Sequence, residues 1–144
     1  MGPDTLFQAA NTTALAGWLV LAASPRLPVW ADRISGLAIP LLLSIGYTTL
    51  ILVFWSGAEG GYDTLAGVMR LFTQPEIVLA GWVHYLAFDL LIGAWEARTG
   101  RAEGIPFLLV LPCLALTFLF GPVGFLAFTA IRAGRMAARA TQRA

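Results

Sequence analysis

Lysine is absent from the chain, and cysteine and histidine occur once each, as Cys113 and His84. A single cysteine excludes an internal disulfide, and one cysteine with one histidine disfavours a zinc site within the chain. Charged residues make up 12% of the 144 residues, about half of the share that is usual in soluble domains. These scarcities exclude a disordered chain, a nucleic-acid-binding domain and an ordinary cytosolic enzyme.

The sequence contains long apolar stretches with almost no charged residues. Four stretches carry no Asp, Glu, Lys or Arg except Asp89, namely 5–25, 34–58, 77–95 and 104–131. Since a helix needs roughly 20 apolar residues to cross a bilayer, the sequence predicts an all-α integral membrane protein with a four-transmembrane-helix bundle in one domain, 1–144. The predicted helices cover about 5–23, 34–55, 75–95 and 105–131, and a basic tail follows at 132–144.

The longest connection contains glycines and then an amphipathic pattern. Leu65, Val68, Met69 and Phe72 follow the spacing of one helical face. We expect a short helix at about 62–72 that lies on the membrane surface and that Asp63 caps. A lid over the mouth of the bundle is the functional alternative.

The chain ends and the distribution of arginines predict how the protein is oriented in the membrane. The first stretch lacks a positive flank, so we interpret it as a retained helix rather than a signal peptide. Four crossings put both termini on one side, with five arginines there and four on the other. The positive-inside rule then favours cytoplasmic termini. In the fourth stretch, the segment "FGPVG" (120–124) predicts a bend or a break.

The third stretch carries the residues from which a function can be argued. His84 and Asp89 lie about 3 and 4.5 Å from its middle, and an intramembrane ionisable residue is a candidate functional residue. Five residues separate them, which places them about 140° apart around a helix. Tyr85 shares a face with Asp89. Either one cavity meets both groups, or each group meets a different neighbour.

The same candidate residues also have structural explanations. Asp89 can be a neutral, hydrogen-bonded carboxyl that fixes helix packing, and His84 can be a neutral imidazole in a helix contact. Asn11 on the first helix and the hydroxyls of Tyr47 and Thr48 on the second can serve interhelical hydrogen bonds or face a wet cavity.

Three segments resemble the ABA4-like family, which consists of small four-helix membrane proteins named after the plant protein required for neoxanthin formation. The segments are "AIPLLLSIGYTTL" (38–50), "LAGWVHYLAFDLLIGAW" (79–95) and "GIPFLLVLPCLALTFLFGPVGFLAF" (104–128). The resemblance extends over about 12–131. Plant members begin with a transit peptide that this sequence lacks, so we expect a bacterial type of member in the inner membrane.

The resemblance implies a protein that binds or modifies a carotenoid. The plant reaction isomerises an epoxide to an allene and a hydroxyl, which requires an acid, a base and the exclusion of water but no redox cofactor. On this hypothesis Asp89 is the acid, His84 the base and Tyr85 the orienting group of a cofactor-independent isomerase. The predicted ligand-binding residues are Trp82, Phe88 and Phe120, which would line the polyene, together with Asn11, Tyr47 and Thr48.

Two other functions stay open. The chain can be a non-catalytic subunit that holds a pigment or lipid in a membrane complex or homo-oligomer. A small-solute channel or transporter is less favoured, because one four-helix chain makes a poor pore and no inverted repeat is present. The predicted partners are the bilayer, a hydrophobic ligand and a membrane protein, without metal, cofactor or nucleic acid.

Overall fold

The computed structural model describes residues 2–141, which form helices and turns without a strand. Residues 142–144 of the predicted basic tail lie outside the described residues. The prediction of an all-α fold is confirmed. The helices are α1 (Pro3–Ala22), α2 (Pro28–Arg33), α3 (Ile39–Phe54), α4 (Leu65–Leu71), α5 (Pro75–Ala102), α6 (Phe107–Phe120) and α7 (Pro122–Thr141); a π-helical turn, Ile34–Ala38, joins α2 to α3, and a 3-10 turn, Trp55–Gly57, ends α3.

Two helices are long and apolar enough to cross a membrane, the continuous helix Pro28–Gly57 and α5. Helix α6 is strongly apolar but has 14 residues, or about 21 Å, which is short of the ~30 Å hydrocarbon layer. The four predicted spans are therefore not confirmed. Over residues 2–141 the structure is all-helical, with two helices of membrane-spanning length and composition.

Helix α5 lies at the centre of the fold and packs against α1, α3 and α6. Glycines let α1 approach closely, because they place no side chain between the helices. A Cβ at Gly93 would lie 2.6 Å from Cη2 of Trp18, and a Cβ at Gly17 would lie 2.6 Å from Cδ2 of Leu90. Leu90 is fully buried as a result.

The contacts give each helix a direction relative to α5. Helix α1 runs parallel to α5, since Asn11 meets Trp82 near the beginning of both helices and Trp18 meets Gly93 farther along. Helix α3 runs antiparallel to α5. One end of the bundle therefore holds the beginnings of α1 and α5 together with α4, and we call it the α4 end. We call the opposite end, where α5 finishes, the arginine end.

Helices α6 and α7 form a hairpin. Gly121 separates them with a φ of +45°, in a region that favours glycine. Helix α7 folds back along α6, so a Cβ at Gly124 would overlap Thr117 and would lie 2.6 Å from the Cys113 carbonyl oxygen. The predicted helix over 105–131 is therefore two helices, because the break expected at "FGPVG" is a complete reversal of the chain.

The reversal places the two ends of the chain at opposite ends of the bundle. The Gly121 turn lies beside Asp89, halfway along α5, and α7 returns from there to the arginine end. At that end Arg132 forms an ion pair with Glu103 at 2.5 Å, and Arg139 donates to the Glu103 carbonyl oxygen at 2.8 Å. The hydrogen bond from Arg132 holds the pKa of Glu103 below its usual range. Helix α1 begins at the α4 end, so the first and last described residues lie at opposite ends of the bundle, which does not match the expectation of both termini on one side of a membrane.

Helix α4 is shorter than the predicted 62–72. It begins at Leu65 because the Thr64 side chain, rather than Asp63, accepts the cap hydrogen bond, from the Gly67 backbone N–H at 3.0 Å. Leu71 is buried, so α4 is held against the rest of the bundle.

The close approach of α7 to α6 generates a stability prediction. The change Gly124→Val places two methyl groups against the α6 backbone, and we expect it to lower the free energy of unfolding by about 3 kcal/mol or to prevent folding. Thermal unfolding in detergent, followed by circular dichroism, measures the effect.

Gly134 offers a matched control on the same helix, because no atom lies within 4 Å of the position that its Cβ would occupy. We expect Gly134→Ala to leave the unfolding temperature unchanged or to raise it slightly, since alanine favours helix. Equal unfolding temperatures for both variants would contradict the hairpin packing.

Candidate functional site

Asp89 lies at the tip of the α6–α7 hairpin. Its Oδ1 atom would be 2.8 Å from a Cβ at Gly121, so the carboxyl requires glycine at the turn. Its Oδ2 atom is buried and has no hydrogen-bond partner within the described part of the chain. Helix α7 begins beside this carboxyl, and the amino end of a helix favours negative charge. Asp89 also lines a groove of about 230 Å³ with Ile92, Gly121, Pro122 and Phe125.

Tyr85 holds the hairpin tip from one turn before Asp89, on the same face of α5. Its hydroxyl donates to the Phe118 carbonyl oxygen at 3.2 Å. In an unbroken helix that carbonyl would accept from the N–H of residue 122, but Pro122 has none. Tyr85 therefore satisfies a backbone group that the reversal leaves free.

The face of α5 between the hairpin tip and the α4 end is left open by α6 and α7. Trp82 is 38% exposed there, although its Nε1 donates to Asn11 Oδ1 at 3.0 Å. Its ring stacks on Tyr85 at 5.2 Å and lies 5.6 Å from the ring of Phe7. We call Phe7, Asn11, Trp82, Tyr85 and Asp89 the open face. The structure thus brings four of the predicted site residues together.

An apolar groove of about 230 Å³ continues from the open face toward the arginine end, between α1 and α6. The rings of Trp18 and Phe118 meet edge to face in it, 5.5 Å apart. Because Phe118 also carries the carbonyl that Tyr85 binds, the groove and the open face join at this residue. No pattern in the sequence indicates this groove, which is lined by Leu15, Trp18, Leu19, Ala22, Leu111, Leu114, Ala115 and Phe118.

His84 lies on a different face of α5 from Asp89. Its ring stacks on Phe88 at 4.6 Å and lies 5.4 Å from the ring of Tyr47 on α3. Asp89 meets the hairpin tip instead, so the two groups have different neighbours, which is one of the two outcomes that their spacing allowed. The structure does not join them as an acid–base pair.

The remaining predicted ligand residues are divided between the two sides of α5. Phe88 is 52% exposed beside His84, away from Trp82, and Phe120 is exposed at the hairpin tip. The Thr48 hydroxyl donates to the Ser44 carbonyl oxygen of its own helix at 2.8 Å. The structure therefore does not gather Trp82, Phe88 and Phe120 into one slot.

Glu96 is a candidate that the sequence analysis missed. The prediction ended the third helix at residue 95, but α5 continues to Ala102 and buries Glu96 completely. The Thr117 hydroxyl on α6 donates to its Oε1 atom at 2.9 Å, and its Oε2 atom has no partner among residues 2–141. Asp89 is therefore not the only carboxyl of α5 with a buried oxygen that has no partner in the described part of the chain.

The signal for Glu96 was its spacing from two other carboxyls. Asp89, Glu96 and Glu103 follow one another at seven-residue intervals, which keeps them on one helix face, and all three contact the hairpin. Within the described residues, no three side chains of histidine, cysteine, aspartate or glutamate come close enough to hold a metal ion.

The environment of Glu96 predicts how two substitutions differ. Glu96→Gln keeps an acceptor for Thr117 and the side-chain volume, so we expect a loss of less than about 1 kcal/mol in unfolding free energy. Glu96→Ala leaves a cavity and an unpartnered hydroxyl, and we expect a loss of about 2–4 kcal/mol. Thermal unfolding of the two variants measures the difference. A glutamine variant as unstable as the alanine variant would show that an ionised carboxylate is required.

Comparison with known proteins gives one match. The model of the family described as "ABA4-like: ABA DEFICIENT 4-like" matches residues 5–128. No curated protein and no solved structure matches the chain. The matched range contains the open face, the apolar groove and the hairpin tip. Because it spans most of the 144 residues, the chain belongs to the ABA4-like family.

Proposed function

We propose that the protein is embedded in a membrane and binds an elongated apolar ligand of the carotenoid class along α1. The observation that carries the proposal is the continuous strip formed by the open face and the apolar groove. From Phe7 to Ala22 this strip follows α1 for about 22 Å, at 1.5 Å per residue. Such a length suits a rod-shaped polyene better than a compact ligand, and family membership favours a carotenoid.

The polar groups of the open face lie partway along this strip. Asp89 has an oxygen without a partner, and Asn11 has already accepted the Trp82 N–H. A hydroxyl or epoxide oxygen of the ligand therefore bonds to Asp89, while the polyene contacts the rings of Phe7 and Trp82. This combination of apolar walls and a few placed polar groups is typical of small-molecule sites.

The fold supports three crossings of the membrane and one re-entrant hairpin. Helix α1 has 20 residues, or about 30 Å, so its length alone matches the hydrocarbon layer. Helices α2–α3 and α5 match the layer in both length and composition. The hairpin enters from the arginine end and turns back at the level of Asp89. A break at this depth needs protein partners for its backbone, and Tyr85 supplies one.

The arginines give this arrangement an orientation. Among the described residues Arg70 is the arginine of the α4 end, whereas seven belong to the arginine end, which the positive-inside rule assigns to the cytoplasm. The amino terminus then lies outside and α4 lies on the outer surface of a bacterial inner membrane. The seven are Arg26, Arg33, Arg98, Arg101, Arg132, Arg135 and Arg139.

A cofactor-independent isomerase is the second candidate, and the unpartnered oxygen of Asp89 favours it. In this reaction a protonated Asp89 gives its proton to the epoxide oxygen, and the carbon–oxygen bond breaks to leave a hydroxyl and a carbocation. The resulting carboxylate then removes a proton from the polyene to form the allene, which restores the acid. One carboxyl performs both transfers, so His84 on the other face is not required as the base.

The proposed ligand site predicts that the purified protein carries a pigment, and that the amount of bound pigment depends on the open face. Protein extracted in mild detergent from cells that make carotenoids is expected to carry one, as absorption spectra and mass identification can show. Trp82→Ala removes a ring from the strip, and we expect about a tenfold loss of bound pigment per protein. Asp89→Asn keeps the shape, so we expect it to retain the apolar contacts and to lose any isomerisation.

Phe88→Ala is the matched control, because it removes an aromatic ring from the same helix on the other face. We expect this variant to bind as much pigment as the unchanged protein. A colourless preparation that contains phospholipid alone contradicts the carotenoid proposal. Full turnover by Asp89→Asn contradicts the isomerase and leaves a pigment-holding protein.

The proposed orientation predicts on which side of the membrane each terminus lies. Reporter fusions that are active on one side of the membrane, placed in turn at the two termini, are expected to report opposite sides, with the carboxyl terminus in the cytoplasm. A reporter inserted at Gly60, in the loop before α4, is expected to agree with the amino terminus. Both termini on the same side would contradict the re-entrant hairpin.

A further inference from the structure

A second cavity lies on the side of α5 opposite to the hairpin. It has a volume of about 240 Å³ between α3, α4 and α5, and its walls include Tyr47, Tyr62, Phe72, Gly81 and His84. No part of the open face contributes to it, so it is independent of the strip along α1.

Two features keep this cavity from closing. Gly81 has no side chain that could fill the space. A Cβ at this position would already lie 3.0 Å from the Phe72 ring, so a larger residue would occupy the cavity. The segment over the cavity is held from both ends, because Thr64 caps α4 and the Gln74 side chain donates to the Glu59 carbonyl oxygen at 3.2 Å. The space is therefore built by fixed elements.

The polar groups of the cavity are unused. The hydroxyls of Tyr47 and Tyr62 and the imidazole of His84 make no hydrogen bond to another residue in the part of the chain that the structure describes. Stacking on Phe88 at an interplanar angle of 17° fixes the orientation of the His84 ring. Hydrogen-bond donors thus line a cavity whose other walls are aromatic or aliphatic.

The residues that line the cavity determine which kind of ligand it can bind. No carboxylate or arginine lines the cavity, so a charged group would lose its hydration without a partner. Flat aromatic walls favour a planar ring, and the volume is below the roughly 300–1,000 Å³ of drug-sized sites, which suits a single substituted ring. His84 is exposed, so the cavity opens to the surface of the bundle.

We propose that this cavity binds the head group of a lipid-soluble quinone, with its carbonyl oxygens accepting hydrogen bonds from Tyr47 and His84. The isoprenoid tail leaves past the exposed side of His84 along the surface of the bundle. The site is separate from the carotenoid strip, so the two ligands are expected to bind without competition.

Fluorescence titration of the purified full chain tests the proposal. The probe is a benzoquinone with a decyl tail, added to protein in detergent. Trp55 stacks on Tyr62 at 5.3 Å beside the cavity, so we expect a saturable component in the quenching of the total tryptophan emission. Tyr47→Phe keeps the ring but removes one hydrogen bond, and we expect the Kd to rise about fivefold. His84→Phe is expected to act similarly, and Gly81→Leu to abolish binding.

Thr49→Val is the matched control on α3, because the Thr49 hydroxyl donates to the Ile45 carbonyl oxygen of its own helix. It is expected to leave the Kd unchanged. Quenching that rises linearly with quinone, without saturation, shows partition into detergent alone and overturns the proposal. Equal Kd values for Tyr47→Phe, Gly81→Leu and the unchanged protein also overturn it. Trp82→Ala, which tests the carotenoid strip, separates a failure of that proposal from a failure of this one.

Discussion

The reversal of the chain at Gly121 is the constraint on which the rest of the structure depends. A helix that stops leaves its last carbonyl groups without partners in the helix, and Pro122 removes an N–H that one of them would otherwise bind. Tyr85 supplies a donor for one of these carbonyls, and the Asp89 carboxyl fills the space that the absent Gly121 side chain leaves. Tyr85 and Asp89 are thus explained first by the turn that they contact.

The length of the hairpin decides which parts of α5 stay uncovered. Because α6 and α7 cover α5 from Asp89 to the arginine end, the aromatic rings nearer the α4 end remain open on that side. On the other side, α4 and Gly81 create a separate cavity around His84. One helix therefore presents two unlike surfaces, and the two ionisable residues in its middle belong to different surfaces.

The sequence predicted the helical class, the apolar stretches and the presence of a helix near 62–72. It could not distinguish a kink from a reversal at "FGPVG", since proline and glycine permit both. The reversal places the arginines of α7 at the same end as the arginines around α2 and at the end of α5. The arginines are therefore unequally divided between the two ends, whereas four crossings would divide them almost equally. Glu96 was missed because the charged residues after Trp95 are typical of a turn, although they continue α5. Asn11, Trp82, Tyr85 and Asp89 were predicted as site residues and do lie together, whereas the groove between α1 and α6 depends on a packing that no local pattern encodes.

The hairpin also makes the cross-section of the bundle unequal. Near the α4 end three long helices, α1, α3 and α5, fill the section, while near the arginine end α6 and α7 add two more. In a bilayer such a wedge occupies more area in one leaflet than in the other. Lipid tails must fill the difference, or the membrane must curve toward the narrow side. A ligand of the proposed kind, seated on the open face, would fill part of the narrow half, so ligand binding would also reduce the local packing stress of the surrounding lipid.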